Sequence, residues 1–107
     1  MGSTRIIKAV NEIDYLELIE NYKDKITVNP HANFRVSEAQ RKVYKDEYLI
    51  SILEGEKPRF VGMQQNGNYA AFFSRKEGFL RLIFAVNTLA NNIEIVTFFI
   101  ADNIPEI

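Results

Sequence analysis

The chain reads as an α+β domain, with N-terminal helices packed on one face of an antiparallel meander sheet of four strands or slightly more. Three observations predict this. Apolar residues recur at spacings of three and four in the first half and at about two after Pro58. Asn66-Gly67 and Lys76-Glu77-Gly78 cut the second half into strands short enough for hairpins. Helices that precede a run of hairpin-linked strands collect on one side of the sheet. No repeat, low-complexity tract or linker interrupts the 107 residues, so residues 1–107 are expected to form a single domain.

Asn11 is a helix cap, Glu12 and Asp14 favour the first turn, and Ile13, Leu16 and Ile19 predict an amphipathic helix over 11–22 with an acidic outer face. Lys25-Ile26-Thr27-Val28 is a short strand that ends at the Asn29-Pro30 turn. Residues 31–54 are helical by composition, with a break near Lys42–Lys45. Gly55 closes that helix and Pro58 prevents its continuation. Strands are then expected over 59–63, 69–74, 79–86 and 93–100. The last is apolar on both faces, as in a strand covered by helices on one side.

Apolar residues make up 47% of the chain, enough for a packed core. Cysteine is absent, which excludes disulfides, thiolate catalysis and cysteine-ligated zinc and fits a cytoplasmic location. One histidine, with no His-x-x-x-His and no paired aspartates, gives no metal site to expect. Phosphate-cradling glycine loops and a G-x-S-x-G elbow are missing, so no cofactor is expected either. No apolar run approaches membrane-spanning length, and no apolar segment follows Met1–Arg5 as in a signal peptide. Gly2-Ser3 has the composition of a cloning remnant. Net charge is −1 with a pI near 5.8, which argues against nucleic-acid binding by bulk charge. The charge is uneven, however. Residues 61–90 hold Arg75, Lys76 and Arg81 against Glu77, whereas residues 11–24 hold Glu12, Asp14, Glu17, Glu20 and Asp24 against Lys23.

The remaining chemistry is metal-independent acid–base catalysis on RNA. It needs a base for the 2′-hydroxyl, an acid for the leaving 5′-oxygen, and cations for the charge on the phosphorane. His31 is the only side chain of the type whose unperturbed titration lies near neutrality. On a helix it shares a face with Arg35, and Glu38 and Arg41 follow at steps of three. Arg81 stands in an apolar strand and points away from Leu80 and Leu82, while Tyr69 and Arg75 share a strand face. His31, Glu38 and Arg81 are the catalytic candidates; Arg35, Arg41, Tyr69, Arg75 and Thr97 are the substrate-binding ones. The plain alternatives are a histidine that starts a helix and an Arg35–Glu38–Arg41 surface ion-pair ladder.

Pro30-His31-Ala32-x-x-Arg35, a second arginine, a helix that ends before x-Pro, then Leu80-Arg81-Leu82-Ile83-Phe84 and Ile93-Glu94-Ile95-Val96-Thr97-Phe98-Phe99 together resemble the small BrnT-like and related families of the RelE/ParE toxin superfamily. The resemblance covers about residues 26–100. It implies helices followed by an antiparallel sheet, and a ribonuclease toxin that acts on RNA without metal and is held in check by an antitoxin protein. His31, Arg35 and Arg41 match the helical motif, Arg81 the strand arginine and Thr97 the threonine of the last strand. The chain departs from the pattern in placing Arg41 six residues after Arg35, with Lys42-Val43 where Gly and a β-branched residue are usual, and in its extra acidic N-terminal helix. A second reading stands beside the toxin: a non-catalytic interaction module, whose strand aromatics Phe72, Phe73, Phe84, Phe98 and Phe99 face a core on one side and a partner on the other. A mobile-element protein of other role is the third.

Overall fold

A computed structural model describes residues 5–106; the reading of Met1–Thr4 lies outside them. In chain order the elements are β1 (Ile6–Ala9), α1 (Glu12–Asn21), β2 (Ile26–Val28), α2 (Glu38–Val43), α3 (Asp46–Gly55), β3 (Phe60–Gln64), β4 (Tyr69–Arg75), β5 (Gly78–Asn87) and β6 (Asn92–Ala101). The strands form one sheet in the order β1-β3-β4-β5-β6-β2. The expected α+β fold is present, and its meander β3–β6 gains a strand at each edge. β1 adds antiparallel to β3, and β2 adds parallel to β6.

Asn11 caps α1, its side chain accepting the Asp14 amide at 2.8 Å. Gly67 at φ 91° makes the tight β3–β4 turn, and Gly78 at φ 141° opens β5 where a side chain would run into the Ala101 carbonyl. The segment read as one broken helix differs at its start. Residues 30–36 are turns, and α2 begins only at Glu38. Asn29 explains the delay, because its side-chain oxygen accepts the His31 amide at 2.8 Å and closes a local turn that competes with the helix. Ser37 and Gln40 then form a reciprocal capping box that fixes the true start. The break falls at Tyr44-Lys45, inside the predicted window.

The helices cover one sheet face. Tyr15 and Ile19 of α1 and Leu49, Ile52 and Leu53 of α3 pack on Val61, Ala71, Phe73, Leu80, Leu82, Phe84, Ile93, Ile95 and Phe98. A smaller cluster fills the other face, where Ile6, Ala70, Phe72 and Ile83 are buried beneath Phe60, Phe79, Phe99 and Ile104. Phe72, Phe73, Phe84 and Phe98 are all buried within this one chain, so these four aromatics are not a surface awaiting a partner.

α1 is fastened to α3 by the buried Tyr15 hydroxyl, which donates to the Leu53 carbonyl at 2.9 Å and satisfies a group near the helix C-terminus. Burial pushes the Tyr15 phenol well above its ordinary value near 10. The folded state therefore keeps a proton that the unfolded chain loses above that pH, and stability must fall as pH rises past 10, by up to about 1.4 kcal/mol per unit. Tyr15→Phe is expected to lose about 1–2 kcal/mol at pH 7, measured by urea unfolding. Repeated above pH 10, the same measurement should show the variant losing stability less steeply than wild type.

Candidate functional site

The second sheet face carries a row of side chains directly opposite one another on neighbouring strands. Phe60 of β3 lies beside Phe72 of β4, Phe72 beside Arg81 of β5, and Arg81 beside Phe99 of β6. The Arg81 guanidinium carbon stands 5.2 Å from the Phe72 ring centre and 5.6 Å from that of Phe99, within cation–π range of both. One of its NH2 groups donates to the Gln64 Oε1 at 2.9 Å. Gln64 is itself buried and donates through Nε2 to the Asn66 side chain at 3.3 Å.

Arg35 extends the row from outside the sheet. Its guanidinium carbon lies 4.9 Å from the Phe99 ring centre and 5.4 Å from that of its neighbour Phe34. Phe99 thus has a guanidinium from the strand and another from the 30–36 turn segment. Burial first, and the positive charge of Arg35 second, lower Arg81 from its ordinary value. Arg81 nevertheless stays charged at neutral pH, because a guanidinium titrates far above it. Two like charges at one ring raise the local positive potential of this face.

Two other predicted residues hold the turn segment. Thr97, buried, donates from Oγ1 to the Ala32 carbonyl at 3.1 Å, and the Phe98 amide donates to the same oxygen at 3.3 Å. Arg41 donates from Nε to the Asn33 carbonyl at 3.3 Å. The Asn29 amide reaches the Ile95 carbonyl at 2.9 Å, which carries the β2–β6 ladder into the segment. Thr97 and Arg41 therefore act on the position of Arg35.

The remaining candidates are dispersed. His31 is exposed on a turn instead of in a helix, so the expected helical face shared with Arg35 does not form. Among the described residues, no hydrogen bond joins its imidazole to Arg35. Glu38 sits in the first turn of α2, 4.0 Å from Lys42, with 75% and 84% of the Lys42 and Glu38 side chains exposed, so the Arg35–Glu38–Arg41 ladder is also absent. Tyr69 and Arg75 share a face as expected, but it is the helix-covered face, opposite to Arg81. Tyr69 stacks on Phe84 with ring centres 5.2 Å apart and lines an open cleft of about 580 Å³ with Lys8, Asn11, Asp14 and Leu18. Arg75 makes a two-pronged pair with Glu56 at 3.0 and 3.1 Å. Burial opposes its charge, but hydrogen bonds to Glu56 and Tyr44 outweigh this and raise it. Arg75 ties the end of α3 to β4.

Sequence reasoning passed over Gln64, Phe99 as a ring shared by two arginines, and Phe34. Gln64 follows an apolar strand and precedes a turn, where a polar residue draws no attention. The Phe99–Arg81 pairing depends on strand register. Among the described residues no group of three or more histidine, cysteine, aspartate or glutamate side chains is placed to hold a metal ion, and no helix is long and apolar enough to cross a membrane.

Neither a scan against protein-family models nor searches of curated proteins and of solved structures returned a match to this chain.

Thr97→Val removes one of the two bonds to the Ala32 carbonyl while keeping the side-chain shape. It is expected to cost about 0.5–1.5 kcal/mol in urea unfolding. Amide exchange should quicken at Ala32, Phe34 and Val36 more than in β4 or β5. Uniform acceleration across the sheet would instead place Thr97 in the global core.

Proposed function

We propose that this chain is a metal-independent endoribonuclease of the toxin–antitoxin kind, with the phosphate of its RNA bound at the arginine row beside Phe99. The observation that carries the reading is this pair of mutually repelling guanidinia over one aromatic ring. A phosphate at this row would be bonded by the exposed guanidinium of Arg35 and attracted by the field of Arg81. The same cations stabilise the phosphorane formed when a 2′-oxygen attacks phosphorus and the 5′-oxygen leaves. His31, on the turn that carries Arg35, and Glu38, just beyond it, supply the groups for proton transfer. The resemblance of the His31–Arg35 and 80–99 segments to BrnT-like toxins supports the same chemistry, and with it a cytoplasmic setting and an inhibitory partner protein.

Binding without cleavage is the second reading. It is favoured by the exposed, Lys42-paired state of Glu38.

Incubation with a mixed-sequence RNA in EDTA separates the two. Wild-type protein is expected to yield fragments ending in 2′,3′-cyclic phosphate, and Arg81→Ala or Arg35→Ala to slow this by about a hundredfold. Because each phosphate contact to a single strand contributes about −0.7 to the slope of log affinity against log salt, Arg35→Ala should flatten that slope by about 0.7. Binding with intact RNA selects the second reading. Absence of both binding and cleavage, in an assay where a known ribonuclease works, rejects both.

A further inference from the structure

The helix-covered face of the sheet carries a second row of opposed side chains. Lys8 of β1 lies opposite Met63 of β3, Met63 opposite Tyr69 of β4, and Tyr69 opposite Phe84 of β5. Lys8 reaches this row through a bulge. Ile6 pairs with Gln64 and packs on the Arg81 side of the sheet, and strict alternation would place Lys8 there too. One extra residue, Ile7, lets Lys8 pair with Met63 instead and turns it to the helix side.

The row ends in the open cleft beside Tyr69, and α1 forms its other wall. Lys8, Met63 and Tyr69 line it together with Asp14, Glu17 and Leu18 of that helix, around a space of about 580 Å³. Small-molecule sites occupy roughly 300–1,000 Å³. Stacking on Phe84 fixes the Tyr69 ring in the cleft wall. The charges of this cleft do not neutralise one another. Among the described residues, Lys8, Asp14 and Glu17 belong to no ion pair, and Asp14 is bonded to Asn11 only through its backbone amide.

A cation or an anion alone matches one wall and leaves the opposite charge without a partner. A zwitterion matches both, and an aromatic body attached to it gains the Tyr69, Met63 and Leu18 surface. We propose that the cleft binds a free amino acid with an aromatic side chain: its carboxylate at Lys8, its ammonium at Asp14 and Glu17, its ring against Tyr69. The site lies across the sheet from Arg81, so it stands whether or not the chain acts on RNA.

The test is an NMR titration of the whole chain with three probes. Phenylalanine carries both charges, phenylethylamine lacks the carboxylate, and phenylpropionate lacks the ammonium. Phenylalanine should bind in the millimolar range or tighter and shift the amides of Lys8, Asp14 and Tyr69. Each of the other two should bind about fivefold more weakly, the effect of one lost exposed ion pair. Lys8→Met should weaken phenylalanine by about the same factor and leave phenylethylamine unchanged. The double variant Asp14→Asn, Glu17→Gln should weaken phenylalanine and leave phenylpropionate unchanged. All three substituted side chains are exposed, so thermal unfolding should match wild type.

Equal binding of the three probes by wild type overturns the proposal, whatever the variants do, by showing an apolar cleft indifferent to charge. Phenylalanine affinity that survives both Lys8→Met and the double variant overturns it as well. So does wild-type protein whose cleft amides do not move with phenylalanine.

Discussion

One extra residue in β6 sets the character of both sheet faces. Thr97 stands opposite Ile83 and Ile95 opposite Phe84, so Val96 is inserted between two residues that are neighbours on β5. Side chains alternate along a strand, and a single insertion reverses the faces of everything beyond it. Ile93 and Ile95 point into the helix-covered core, and after the bulge so does Phe98. Phe99 is thereby turned to the other face and placed opposite Arg81. Without the bulge Phe99 would share the core face with Ile93 and Ile95, and Arg81 would stand opposite a different surface.

The same stretch anchors the segment that brings Arg35. β2 is only three residues long, and its parallel pairing with β6 joins parts of the chain more than sixty residues apart. Such a pair has little stability of its own, because it closes a long loop before it gains its few bonds. The bonds beyond it matter accordingly. Asn29 continues the ladder, and Ala32 accepts from both Thr97 and Phe98 immediately after the bulge. Arg81 meets a different constraint. A charge among aromatic residues loses hydration, and here Gln64 and the two flanking rings offset that loss. A lysine ammonium, more strongly hydrated and without a planar face, would not be held equally well there.

What was legible in the sequence follows the range of the forces involved. Local signals gave the Asn11 cap, the Asn66-Gly67 turn, the close of α3 at Gly55 and the four meander strands to within a residue or two, because each depends on neighbours in the chain. β1 was passed over because only Ile6 of its four residues is buried, leaving an edge strand without alternation. The helix start was placed too early because Pro30-His31 resembled a first turn, while the Asn29 turn and the Ser37 capping box, both present in the sequence, outweigh it. Arg81 was recognisable as a charge in an apolar strand. Its company was not, since Phe72, Phe99, Gln64 and Arg35 reach it through register, a bulge and a loop fastened from another strand. Tyr69 and Arg75 show the converse. Their shared face followed from parity alone, but which face that is depends on where the helices pack.

The acidic net charge, which at first argues against RNA, loses its force once the charges are placed. The glutamates and aspartates of α1 lie on the helix side of the sheet, because Tyr15 and Ile19 of that helix pack on the face away from Arg81. The molecule spans 33 × 30 × 26 Å between its extreme Cα atoms. At physiological ionic strength exposed charges are largely screened beyond about 8 Å, so carboxylates on one side of a helix-and-sheet layer contribute little to the potential on the other. On the Arg81 face the guanidinia lie close enough for Arg35 to lower Arg81. An approaching phosphate responds to the nearby pair far more than to the distant helix. The acidic helix then lowers attraction to polyanions on its own side of the molecule and acts little on the arginine row.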